Sequence, residues 1–182
     1  AIAHVMLTQG RLHEGLNFMQ ESSASWTGLN SFMCTHNWWH LAVFALELEQ
    51  HDAVLRLYDD QVWGVEKAYS QDQIGAVSLL ARLELAGVDV GKRWDELLPY
   101  LQTRTKDQFL PFLDMQYLYG LARCGRPEAD ELLQNIEHYS DSAMQSNDVW
   151  QQVWQRVCLP ACRGLMAHAQ GNFARAADQL GM

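Results

Sequence analysis

The stretch CTHNWWH, residues 34–40, sets His36 and His40 four positions apart beside Trp38 and Trp39. On a helix that spacing brings both imidazoles onto one face within a single turn. Such a pair can ligate a transition metal, move protons together with a carboxylate, or anchor a ligand among aromatic rings. Zinc chemistry of the HExxH kind needs a Glu after the first histidine and a further ligand. Here Asn37 follows His36, and no motif supplies a third ligand, so neither a metal nor any other cofactor is expected. Acid–base hydrolysis by His36 or His40 needs an aspartate, and Asp59, Asp72 and Asp114 are the candidates. No nucleophile motif accompanies them, and GVDVGKRW lacks the GxxxxGK[ST] spacing of a phosphate loop. Anchoring of a ligand is therefore the main expectation, with a hydrolase using His36 and His40 as the alternative. A purely structural use, in which the rings satisfy one another in a core, draws on the same residues.

A helix over 36–48 also fixes what lies opposite the pair. At about 100° per residue, His36, His40 and Glu47 fall on one narrow stripe, and Trp38, Trp39, Leu41, Ala42, Val43, Phe44, Ala45, Leu46 and Leu48 cover the remainder. A helix apolar on so many sides is flanked by neighbours on both sides.

The rest of the chain bounds the class of protein. With 182 residues, 48% of them hydrophobic, it is long enough for a substantial core and favours one domain over 1–182. Thirteen Lys and Arg against 22 Asp and Glu give a net charge of −9, which excludes a general affinity for nucleic acid or anionic membranes. Cys34, Cys124, Cys158 and Cys162 have neither zinc-knuckle nor redox-pair spacing and read as reduced, mostly buried thiols. No apolar run reaches the roughly 18 residues of a membrane span, and a cytoplasmic location is expected.

Helical periodicity covers nearly the whole chain. Helices are expected at 1–9, 12–20, 31–49, 51–63, 71–86, 92–102, 107–123, 126–138, 147–157, 160–170 and 173–180. Longer connections follow residues 20, 63 and 138. Four helix pairs share a form: AIAHVMLTQG–RLHEGLNFMQ, NWWHLAVFALELEQ–HDAVLRLYDD, DMQYLYGLARCG–RPEADELLQNI and LPACRGLMAHAQG–NFARAADQL. Their turns fall at Gly10, Glu49, Gly125 and Gly171, with a related break at Gly87. Recurrence at about 40 residues marks a stack of helical hairpins. Trp150, Trp154 and Val157 are spaced to form one apolar seam, between hairpins or at a subunit contact.

GNFARAADQL after CRGLMAHAQ resembles the tetratricopeptide repeat in its inter-helix glycine, its aromatic two residues later, and its small residues Gly164 and Ala176 where helices cross. In the second pair Trp38, Leu41, Ala42, Val54 and Tyr58 take matching positions, with Glu49 in place of the glycine. AHVMLTQGRLHEGLNFM, THNWWHLAVFALELEQHDAVLRLYD and SLLARLELAGVDVGKRW further resemble the tetratricopeptide repeat protein 38 family and its bacterial relatives, over residues 1–180. The resemblance implies an all-α, right-handed αα-superhelix of tetratricopeptide-like hairpins, here the C-terminal part of a longer chain. That family is expected to carry a histidine near Asp114, where this chain has Gln116 and Tyr117. The repeat pattern also directs residues to a concave groove: His4 from the first unit, His36, Trp39 and Val43 from the second, Phe112, Met115 and Tyr119 from the third, and Ala161, Leu165 and His168 from the fourth. His40 lies at the margin. Ligand-binding residues are thus expected to be His4, His36, Trp39, His40, Asp114, Met115 and Tyr119, with a protein segment or a small molecule as partner. A homodimer through an exposed end hairpin is a further expectation.

Overall fold

The computed structural model describes residues 2–63, 65–143 and 149–181, all of them in helices, turns or connecting coil, with no strand among them. No helix among them is long and apolar enough to cross a membrane. The chain forms two compact units, Ala1–Arg93 and Trp94–Met182.

The first unit contains α1 (Ile2–Thr8), α2 (Leu12–Ser22), a short 3₁₀ turn at Ser23–Trp26, α3 (Ser31–Glu47), α4 (His51–Leu57) and α5 (Ser70–Leu85). α3 packs against α2, α4 and α5, which is why residues 41–46 are all buried. In the second unit α6 (Arg93–Leu101) is followed by α7 (Pro111–Arg123), α8 (Glu128–Ala143), α9 (Val149–Val153), α10 (Leu159–Ala169) and α11 (Phe173–Leu180). There α7 packs against both α8 and α10, and α10 against α11.

Each expected turn is closed by one device. Gly10, Glu49, Gly87, Gly125 and Gly171 all have positive φ, between 57° and 78°. At each, the N–H of that residue bonds the carbonyl three back, and the next N–H bonds the carbonyl five back: Gly10 to Leu7 and Arg11 to Met6, Glu49 to Leu46 and Gln50 to Ala45, Gly171 to His168 and Asn172 to Ala167. This pairing satisfies helix-end carbonyls and reverses the chain within two residues. Glu49 performs the glycine's task with a side chain attached, in backbone space that L-residues avoid.

Small residues set how closely the helices approach. A Cβ on Gly164 would lie 2.6 Å from Leu180 Cγ, and one on Gly15 would lie 2.2 Å from Phe44 Cε1. Gly164 and Ala176 thus mark the close α10–α11 crossing read from the sequence, and Gly15 plays the equivalent part between α2 and α3. A buried carboxylate aligns α3 with α5. Asp72, in the first turn of α5, accepts from the hydroxyls of Ser31 and Thr35 in the first turns of α3, the latter at 2.9 Å. Its charge sits beside two helix N-termini, which favour an anion there. Asn30 caps α3 through its side-chain oxygen, which accepts from Met33 N–H at 2.9 Å.

Three local expectations change. α7 starts at Pro111 rather than 107, because proline takes the first helical position and holds Leu110 extended at φ −146° and ψ 122°. Both α4 and α9 continue into π turns, at Tyr58–Val62 and Trp154–Cys158, whose wider winding shifts the buried face. The Trp150–Trp154–Val157 seam accordingly does not form between hairpins: Trp154 is fully buried, with its ring 4.9 Å from Tyr139, whereas Trp150 and Val157 are exposed. The expected connection after residue 138 is helix as far as Ala143, and 144–148 lie outside the described residues.

Glu49→Gly should relieve the left-handed strain at the second hairpin at the cost of a floppier unfolded chain, a net stabilisation of about 0.5–1 kcal/mol. Gly125→Ala should destabilise by about 1 kcal/mol for the converse reason. Urea unfolding of both variants checks the pair of signs.

Candidate functional site

The polar stripe of α3 meets α1. Apolar packing on three sides of α3 leaves His36 half-buried and His40 buried, with 5% of its surface exposed. Their Nε2 atoms are 3.0 Å apart, a hydrogen bond in which one neutral ring donates and the other accepts. His4 on α1 is exposed, and its ring centroid lies 4.4 Å from that of His40 and 6.4 Å from that of His36. One ring nitrogen from each of the three lies within 4.8 Å of the others. The third imidazole that no sequence motif supplies therefore comes from a different hairpin.

Aromatic side chains frame the cluster. Trp39 lies parallel to His36, with centroids 6.1 Å apart and an interplanar angle of 4°, and Phe32 sits 5.1 Å from His36. The Arg82 guanidinium of α5 is 5.2 Å from the Trp39 ring, a cation–π contact. Trp39 Nε1 and His40 Nδ1 are buried polar atoms with no protein hydrogen-bond partner. An orphaned N–H is costlier than an under-used lone pair. That places the His40 hydrogen on Nε2, donating to His36.

The environment holds the α3 rings neutral. Burial disfavours the imidazolium of His40 first, and the neighbouring His36 and His4 add repulsion, so its pKa falls to about 4. The His36 value is also lowered, by burial and then by His4. Uncharged rings retain the lone pairs that protonation would remove, that of His36 Nε2 being engaged by His40.

The carboxylates considered as partners for these rings are engaged elsewhere. Asp72 joins the starts of α3 and α5, and Asp59 forms a bidentate pair with Arg93, at 2.7 and 2.6 Å. Asp114 is in the second unit and fully buried. It accepts from the backbone N–H groups of Gln108 and Leu110, holding the loop before α7, yet burial and then Asp107 raise its pKa to about 7. Among the described residues no carboxylate hydrogen-bonds to His36 or His40.

The other expected residues occupy the second unit. Met115 is half-buried and Phe112 exposed on α7, while Tyr119 is largely buried and its ring lies 6.1 Å from that of His168 on α10. Trp94 and Phe173 extend this ring cluster, at 6.3 Å from Tyr119 and 5.4 Å from His168. All four cysteines are free. Cys158 and Cys162 are buried with their sulfurs 3.8 Å apart, and the hydrogen bond from Cys158, followed by burial, pushes the Cys162 thiol up, away from thiolate reactivity.

One feature escaped the sequence. On the far side of α3 from the imidazoles, a cleft of about 370 Å³ is lined by Trp38, Leu41, Gln20, Arg56, Asp60 and Gln61, among others. Trp38, expected in packing alone, rests edge-on against Trp26 at 4.8 Å and also lines this cleft.

No family model matches the sequence, and no solved structure gives a significant match to the chain.

The lowered His40 pKa makes the fold acid-sensitive. The unfolded chain, with a histidine near the ordinary 6.5, binds the proton that the native state refuses, so the stability contributed is complete above about pH 6.5 and is lost as pH falls toward 4. Between pH 7 and 4 the wild-type chain should lose up to about 3 kcal/mol more than His40→Gln. Denaturant unfolding across that range measures the difference.

Proposed function

We propose that the protein is a helical-repeat binding module built of tetratricopeptide-like hairpins, with the face formed by His4, His36, Trp39 and His40 receiving a protein segment or a small ligand. The observation that carries this reading is the convergence of three imidazoles and an indole from two hairpins on one stripe of α3. Aromatic faces supply contact area, and the imidazoles of exposed His4 and half-buried His36 supply directional anchors. The five identically closed helix ends, about 40 residues apart, fit a series of helical hairpins. In the second unit, α7 and α10 offer Met115, Tyr119 and His168 as an analogous surface.

The alternative of a hydrolase working through His36 or His40 with an aspartate requires a carboxylate against one of those rings. Asp59 and Asp72 are held by other partners in this unit, so the binding role is the one the geometry favours.

Panning a phage-displayed random-peptide library on the whole chain tests the reading. Peptides so selected should bind Trp39→Ala and His36→Ala at least ~10-fold more weakly, a loss of about 1.4 kcal/mol, with the circular-dichroism melt still cooperative. A library that yields no binder, or binders indifferent to both substitutions, contradicts it.

A further inference from the structure

We propose that His4, His36 and His40 form a binding site for one divalent transition-metal ion of the zinc class, with a coordination position left open to an outside donor. The site is defined by the three rings alone, so it stands or fails independently of whether a peptide or small ligand is recognised.

The geometry is close to what such an ion requires. With zinc–nitrogen bonds of about 2.0–2.1 Å, tetrahedral ligation separates the nitrogens by roughly 3.3 Å. The Nε2 atoms of His36 and His40 are already 3.0 Å apart, and the His4 nitrogen completes a set spanning no more than 4.8 Å. His36 and His40 project from successive turns of one helix whose other sides are packed, so their relative position is fixed. The remaining adjustment falls to His4, whose exposed side chain can rotate without disturbing a core.

Ligand type selects the ion. The group contains only imidazoles. Three neutral nitrogens suit Zn²⁺, Co²⁺, Ni²⁺ or Cu²⁺ and do not suit Mg²⁺ or Ca²⁺, which take oxygen ligands. The set is also the three-histidine pattern that leaves the fourth zinc position free for water or a ligand atom. The graded exposure, from exposed His4 through half-buried His36 to buried His40, gives the ion an entry side.

The shell around the rings sets the strength. Trp39 and Phe32 flank His36 with apolar surface. When the metal takes Nε2 of His40, its proton moves to Nδ1, which has no protein partner. Loss of such an outer hydrogen bond weakens metal binding by about 10–100-fold. Affinity should therefore lie in the micromolar range, on the order of 1–10 µM for zinc, well short of a structural zinc finger.

The test uses the untagged full chain, stripped with chelator and titrated with zinc chloride by calorimetry and with cobalt chloride by visible absorption. One equivalent should bind per chain, with the strong ligand-field band of tetrahedral cobalt, and magnesium chloride should give no signal. X-ray absorption of the zinc-loaded chain should show three imidazole nitrogens at about 2.0 Å. His4→Ala and His36→Gln should bind at least tenfold more weakly, whereas His13→Gln, at an exposed histidine outside the cluster, should bind as wild type does. If His36→Gln fails to fold, His4→Ala decides, since its side chain is exposed. No saturable zinc binding by the wild-type chain, or equal binding by His4→Ala and wild type, overturns the proposal.

Discussion

The structure depends on one recurring constraint: a residue in the left-handed region after each first helix, whose two backbone hydrogen bonds turn the chain back on itself. Without that reversal the last carbonyls of each helix would need other partners, and the next helix would leave on a different course. Because the device recurs about every 40 residues, the first helices of successive hairpins become neighbours within each unit. α3 then packs against α5, and α7 against α10. The approach of α1 to α3, which brings His4 onto His40, is another product of the same repetition.

Packing on α3 turns this regularity into a chemical feature. With Leu41 to Leu46 committed to the core, His36 and His40 share one stripe of α3 that faces α1. Burial then acts on the rings twice: it keeps them uncharged, and it leaves them to satisfy one another for want of other partners. Acid stability is the property sacrificed. A cluster of neutral nitrogens able to engage something outside the chain is the property gained.

Much of this was legible in the sequence because it is local. Gly10, Gly87, Gly125 and Gly171 announce their turns by residue type, and the turn role of Glu49 could be read from its place in the same series. The periodicity of 36–48 separated His36 and His40 from the apolar faces of their helix, and Gly164 with Ala176 foretold a close crossing that Leu180 fills. The unread features are tertiary or lack a residue-level signal. The repeat pattern put His4 on the same groove as His36 and Trp39, but the direct contact of its ring with His40 is set by how one hairpin registers on the next. Asp72 resembled an available acid until the first turns of α3 and α5 were seen to converge on it. The buried setting of Asp114 and the π turns that separate Trp154 from Trp150 depend on the core around them.

The central claim is that hairpin stacking joins His4 to the α3 pair as one cluster. Nuclear Overhauser contacts between imidazole ring protons measure this directly in the unmodified chain. Ring centroids 4.4 Å apart predict cross-peaks between His4 and His40 as well as between His36 and His40. Cross-peaks confined to His36 and His40, with His4 showing contacts only within α1, would contradict the account.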